Sequence, residues 1–225
     1  MMDSEQHARE ILIEAAQRMN REGLSAGRSG NVSKRYGDGF LITPSGMLYD
    51  DLTEEDIVLI GMDGAFHGHR MPSSEWQFHL DIYKSHPQAG GIVHCHSRHA
   101  TALACARRPI PAFHYMVAAA GGREIPLADY ATFGTRQLSR SILQALGGHR
   151  ACLLANHGQI AIGRKTFAAL ELAREVEELA AQYCLTLAIG APVILPDEEM
   201  DRVLDRFRSY GQNALTGPAG DKNLP

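Results

Sequence analysis

The chain of 225 residues has no apolar stretch that approaches the ~20 residues of a membrane span. Its longest, Leu185 to Leu195, is interrupted by Thr186, Gly190 and Pro192, so no membrane association is expected. Clustered basic residues are also missing. Lys and Arg occur singly or in pairs such as Arg107-Arg108, and 22 of them against 26 acidic residues leave a net charge of −4. Nucleic acid is thereby excluded as the default partner, because neutralising phosphates needs grouped cations. The four cysteines, Cys95, Cys105, Cys152 and Cys184, form no Cys-x-x-Cys pair and lie mostly in apolar runs, which points to a reducing compartment. The first ten residues are polar and acidic where a signal peptide would be basic and then apolar, so a cytoplasmic protein is expected. No internal repeat or linker divides the chain. At this length a core forms without disulfide or metal staples, and a bound metal would serve chemistry rather than folding.

What is abundant is histidine, with eleven residues. His is the commonest metal ligand and general base, but it also occupies surfaces without a role, so spacing decides which members matter. Apolar residues at Ala8, Ile11, Leu12, Ala15, Ala16 and Met19 predict a first helix capped by Asp3 or Ser4 and ended by Gly23. Gly27 to Ser33 is too rich in Gly and Ser for a regular element and reads as a loop before a strand at Phe40–Thr43. A further strand is predicted at Asp56–Ile60, with a hairpin turn at Asp63-Gly64. Ser74 and Gln77 stand in capping-box register for a second helix, which places Glu75 at a helix N-terminus. Gly91–His96 reads as a buried strand, and Ser97 as the cap of a helix to about Arg107. Phe113 to Gly122 has no assignable pattern. A helix from Gly134-Thr135 to Leu146 follows, then strands at Ala151–Ala155 and Gln159–Ile162 around the turn Asn156-His157-Gly158. Thr166 is expected to cap a long helix to about Ile189, and a last helix spans about Asp197 to Tyr210. The order of elements predicts one α/β domain, a central sheet flanked by helices, over residues 1–212, with a mobile tail at 213–225.

His94 and His96 stand two apart on a predicted strand and project from one face, the geometry two ligands of one metal require, or they are two unrelated histidines, one in the core and one on the surface. His67 and His69 have the same spacing in a Gly-rich turn with no strand to hold them, and read as surface residues. His157, at the end of an apolar strand beside Gly158, reads either as a third ligand or as a turn residue. Glu75 reads either as a capping carboxylate or as an acid/base. Ser73, Ser74 and the amides of a helix start make an anion site, and the loop with Asn31 offers a second set of donors. Three histidines, a carboxylate and two anion-binding turns together suggest a metal enzyme acting on a phosphorylated substrate.

Five separated segments carry a resemblance: Pro72-Ser73-Ser74-Glu75-Trp76, the His94-x-His96 strand, Ile110 to Met116, Tyr130 to Arg136, and Asn156-His157-Gly158. On them the chain resembles the class II aldolase/adducin family from its first helix to about Tyr210. The resemblance implies a mainly antiparallel sheet with helices on both faces. It implies a zinc-dependent, reversible C3–C4 cleavage of a ketose 1-phosphate, of the L-fuculose 1-phosphate or 5-deoxy/5-methylthio-ribulose 1-phosphate kind, to dihydroxyacetone phosphate and an aldehyde. One Zn2+ per subunit would be held by His94, His96 and His157, with Glu75 as a further ligand that turns acid/base when substrate displaces it. The phosphate pocket would fall on Asn31, Ser45, Gly46, Ser73 and Ser74, and on Arg28, which stands where the family has Thr. Tyr115 would reach a neighbouring subunit's site in a homotetramer and act there as acid/base, while Phe133 and Tyr210 would line the aldehyde side. Related 4-epimerases carry an acidic residue in the segment filled here by Phe113 to Ala120, and its absence favours the aldolase. Dehydratase relatives fit less well with Tyr115 and the Phe133 segment, and an adducin-like scaffold would not need the three histidines and Glu75.

Overall fold

A computed structural model describes residues 4–209. Helix α1 (Glu5–Arg21) begins where the Ser4 hydroxyl accepts the His7 N–H, as expected from sequence. Strands β1 (Asn31–Tyr36), β2 (Gly39–Ile42), β3 (Val58–Gly61) and β4 (Phe66–His67) follow as an antiparallel meander. Then come α2 (Trp76–Ser85), β5 (Gly91–Cys95), α3 (Arg98–Cys105), a 3₁₀ helix at Tyr115–Ala120 and β6 (Leu127–Ala128). The chain continues through α4 (Arg136–Leu146), β7 (Ala151–Leu154), β8 (Gly158–Gly163), α5 (Thr166–Ile189) and α6 (Asp197–Ser209). The eight strands form one sheet in the order β4-β3-β2-β1-β5-β8-β7-β6, antiparallel except for the β6–β7 pair.

Alternation along the strands splits the core in two. Val32, Leu41, Val93 and Ala161 face α1, α3, α5 and α6, while Phe40, Ile42, Ile92 and Ile160 face α2 and α4. Leu12, Met19, Val176 and Leu179 on the first side are at most 1% exposed, and burying side chains of this size contributes ~1.5–3 kcal/mol each. Helices therefore cover both faces, as the resemblance implied. His94 falls on the α2 side, in register opposite Asn31 of β1.

Several expectations fail at element edges. β1 occupies part of the predicted Gly/Ser loop. Its pattern was hidden because Asn31 and Ser33, which alternation turns toward α2, are buried polar residues. Arg35 strengthens the strand by donating to the carbonyls of Ala89 and Tyr83. The Ser74–Gln77 capping box is absent: α2 starts at Trp76 with Glu75 as N-cap, the Ser73 hydroxyl accepts the Glu75 N–H, and Gln77 bonds Asp81 instead. Thr166 is the first residue of α5 rather than its cap, Lys165 taking the N-cap position, and Gly91 packs directly against the Thr166 backbone. Ser97 is the N-cap residue of α3 but its hydroxyl accepts from Gln159. Glu177 of α5 takes the N–H groups of His99 and Ala100. The strand predicted from Asp56 starts at Val58, because Glu54–Asp56 closes a 3₁₀ turn with a Thr53–Asp56 capping box. His67 is on the edge strand β4 rather than in a turn, paired with Leu59. No helix among the described residues is long and apolar enough to cross a membrane. Tyr210 and the tail 213–225 lie outside the described residues.

Candidate active site

His94 is the fourth residue of β5 and His96 follows the strand end, so both rings turn to the α2 side. His94 is fully buried, with Nδ1 2.9 Å from the Gln159 carbonyl oxygen on β8. A carbonyl can only accept, so Nδ1 carries the proton and Nε2 keeps its lone pair. Nε2 of His96 lies 3.0 Å from that of His94. The third ring comes from the β7–β8 turn, which the β5–β8 pairing brings alongside. Asn156 takes a left-handed conformation there (φ 53°), which Asn tolerates better than most residues, and the chain then turns His157 toward the other two rings. Gly158 has to be small. A Cβ on it would lie 2.4 Å from the Cys95 carbonyl oxygen and 2.9 Å from His96 Cδ2. One ring nitrogen from each of His94, His96 and His157 lies within 4.8 Å of the others.

Glu75 closes the cluster. Its Oε2 is 3.2 Å from His94 Nε2 and accepts from Asn31 Nδ2 at 3.0 Å, and its Oε1 is 3.3 Å from His157 Nε2. Burial alone would push this carboxyl up. The carboxyl is nonetheless held below the ordinary carboxylate range, and the Asn31 N–H donated to Oε2 favours its ionised form. Burial, with the neighbouring His94 ring, pushes His96 down to about 3 and His157 to about 4, so both present neutral rings at pH 7. Glu75 Oε1 is buried without a hydrogen-bond partner. Neutral rings and carboxylate oxygens converging on one point can all offer lone pairs there, an arrangement that a cation satisfies. The residues present therefore fit a divalent metal with nitrogen and oxygen ligands.

The cluster lies in a cleft of about 330 Å³. Its lining includes Arg28, Asn31, Ser45, Gly46, Ser73 and Ser74, and also Phe133. Tyr115 is not brought to it. It begins the 3₁₀ helix, 51% exposed and away from the cleft lining of its own chain.

A model of the class II aldolase and adducin N-terminal domain matches residues 10–184. The chain belongs to the class II aldolase and adducin family. It is 56% identical over 203 residues to the 5-methylthioribulose-1-phosphate/5-deoxyribulose-1-phosphate aldolase of Rhodospirillum rubrum, covering 90% of this chain and 92% of that one. It is 51% identical over 211 residues to the L-fuculose phosphate aldolase of Escherichia coli O6:H1, covering 93% and 98%. A solved L-fuculose 1-phosphate aldolase matches it with a TM-score of 0.88 at 40% identity, covering 92% of this chain and 98% of that one. The chain is thus an enzyme, a class II aldolase, with a His-rich potential metal site.

Sequence reasoning marked the turn at Asn156-His157-Gly158 but not the left-handed conformation of Asn156, and it assigned no role to two further contributors to this class II aldolase site. The Gln159 carbonyl sets the His94 tautomer, and Tyr130 lines the cleft. The first is a backbone carbonyl, which every residue carries, so no residue type in the sequence could have marked it.

Proposed function

We propose that the protein reversibly cleaves the C3–C4 bond of a ketose 1-phosphate to dihydroxyacetone phosphate and an aldehyde. The observation that carries this reading is the convergence of three imidazole nitrogens and the Glu75 carboxylate in a cleft also lined by Arg28 and four serines. His94, His96, His157 and Glu75 would hold one zinc ion per subunit, which supplies Lewis-acid stabilisation of the negative charge that develops as the bond breaks.

Glu75 carries the proton to and from the carbon that loses its partner, from a buried position that excludes competing water. Asn31, Ser45, Gly46, Ser73, Ser74 and Arg28 bind the phosphate, and the guanidinium adds a charge-assisted bond that a Thr would not. Binding energy at this unreacting end orients the reacting bond. Phe133 takes the aldehyde side, together with Tyr130 and Ala131, an apolar set suited to a terminal methyl or methylthio group. The exposure of Tyr115 outside its own cleft supports its service to a neighbouring copy, where it exchanges the proton of the C4 hydroxyl. That role requires two or more copies, and the homotetramer implied by the family resemblance would supply them.

The test is release of dihydroxyacetone phosphate from L-fuculose 1-phosphate, 5-deoxyribulose 1-phosphate and 5-methylthioribulose 1-phosphate, with and without chelator, alongside metal analysis. Activity on at least one, lost with chelator and restored by zinc, is expected; activity on none would overturn the reading. Mixing inactive Tyr115→Phe and His94→Ala chains should restore part of the rate if Tyr115 serves a neighbour, and no recovery would remove that role.

A further inference from the structure

Behind Glu75 lies a line of buried polar side chains, of which the reaction above uses only Asn31. Glu75, His79 and Tyr83 stand four residues apart on one stripe running from the start of α2, and Asn31 and Ser33 face them from one side of β1. Asn31 Nδ2 donates to Glu75 Oε2 at 3.0 Å, and Asn31 Oδ1 lies 2.5 Å from His79 Nε2. His79 Nδ1 lies 2.7 Å from Ser33 Oγ, which lies 2.9 Å from Tyr83 Oη. None of Asn31, Ser33, His79 and Tyr83 is more than 2% exposed.

The chemistry of the two ends sets the direction of every bond. The Glu75 carboxylate can only accept, so the Asn31 amide must present its N–H to Glu75 and its oxygen to His79. That oxygen can only accept, so His79 carries its proton on Nε2. Burial pushes the His79 imidazole down to about 3 and no carboxylate contacts it, so the ring is neutral and Nδ1 accepts from the Ser33 hydroxyl. Ser33 in turn accepts from Tyr83, whose hydroxyl burial keeps protonated. All donors then point toward Glu75. With the proton on Nδ1 instead, the Nε2 lone pair would turn the amide round and set its oxygen against the carboxylate.

We propose that His79 is a positioning residue, whose Nε2–H locks the Asn31 amide with its N–H toward Glu75 and so holds Oε1 toward the histidine cluster. The functional part of this rests on the reading of Glu75 as the acid/base. It also gives Asn31 two simultaneous tasks, since its second Nδ2 hydrogen stays available to the substrate phosphate.

Neutron diffraction from crystals of the full chain in D2O tests the assignment directly. Deuterons are expected on His79 Nε2 and on Asn31 Nδ2 facing Glu75, with none on His79 Nδ1; a deuteron on Nδ1 overturns the proposal. In solution, His79→Leu removes the donor and His79→Gln keeps an N–H near the Nε2 position. His79→Leu should lower kcat for cleavage and for proton exchange on dihydroxyacetone phosphate about tenfold, with KM and metal content within about twofold of wild type. His79→Gln should recover most of the loss. Equal losses in two folded variants, or a loss confined to KM, overturn the positioning role. Should His79→Leu not fold, the neutron result alone decides. A wild type that cleaves no ketose 1-phosphate but carries its deuteron on Nε2 would count against the aldolase reading and in favour of the hydrogen-bond assignment.

Discussion

His94-x-His96 and His67-x-His69 share a spacing and meet opposite surroundings. The first pair ends a central strand, with His94 fully buried between neighbours β1 and β8, its tautomer set by a carbonyl and a third ring delivered by the next strand's turn. The second begins on the two-residue edge strand β4, is exposed, and finds only Asp56 Oδ1, 3.5 Å from His69 Nε2. The comparison teaches that two imidazoles become ligands when the fold removes water, fixes their protons and supplies further donors. Spacing alone does none of these.

Exchanging one member of each pair should give the largest contrast. His94→Ala should lose bound metal and cleavage activity together, while His67→Ala and His69→Ala keep both within about twofold, as read by metal analysis and an aldol cleavage assay. A metallated, active His94→Ala would erase the distinction. Next in size is Glu75→Gln, which keeps the oxygen ligand but not the base. Metal content should stay near wild type while proton exchange on dihydroxyacetone phosphate falls by ~10²–10⁴, and unimpaired exchange would remove Glu75 from the chemistry.

A smaller effect should follow from Gly158→Ala, which keeps every ligand but forces a methyl against the Cys95 carbonyl and the His96 ring. A loss of ~1–3 kcal/mol in denaturant unfolding, with weaker metal retention, is expected, and an unchanged pair of values would show that the tight approach is dispensable. The smallest effect belongs to the exposed pair's neighbour. Burial would raise the Asp56 carboxyl, but the Thr53 N–H, Arg70 and the Thr53 hydroxyl outweigh it and hold the group at about 2, below its ordinary 3.8. A depressed carboxylate contributes stability that is complete above the unfolded pKa and is lost as pH falls through the folded one. Asp56→Asn should therefore flatten the acid limb of the stability curve between about pH 4 and 2, and His69→Ala should leave it unchanged.

Much of this was legible in the chain. The first helix showed its period and cap, and the apolar runs ending in His94, His96 and His157 marked strands with functional ends. The sheet's least legible strand was β1, where alternation puts Asn31 and Ser33 on a buried face and so breaks the apolar rule that pattern reading relies on. The cap of α2 was misread for a different, local reason. Ser73 accepts the Glu75 N–H and Gln77 turns to Asp81, so one short-range hydrogen-bond pattern took the place of another.

By itself the sequence determined which residue types were available, their spacing, and the pleat and helix periods that sort them onto faces, because these depend only on local geometry. Only the tertiary structure decided that Asn31 would sit opposite His94, that the β7–β8 turn would reach β5, and that Glu75 would meet two imidazole edges. Those meetings join residues from 19 to 82 positions apart in the chain. They depend on strand order and on the dry interior that sheet and helices form together, which no local pattern encodes.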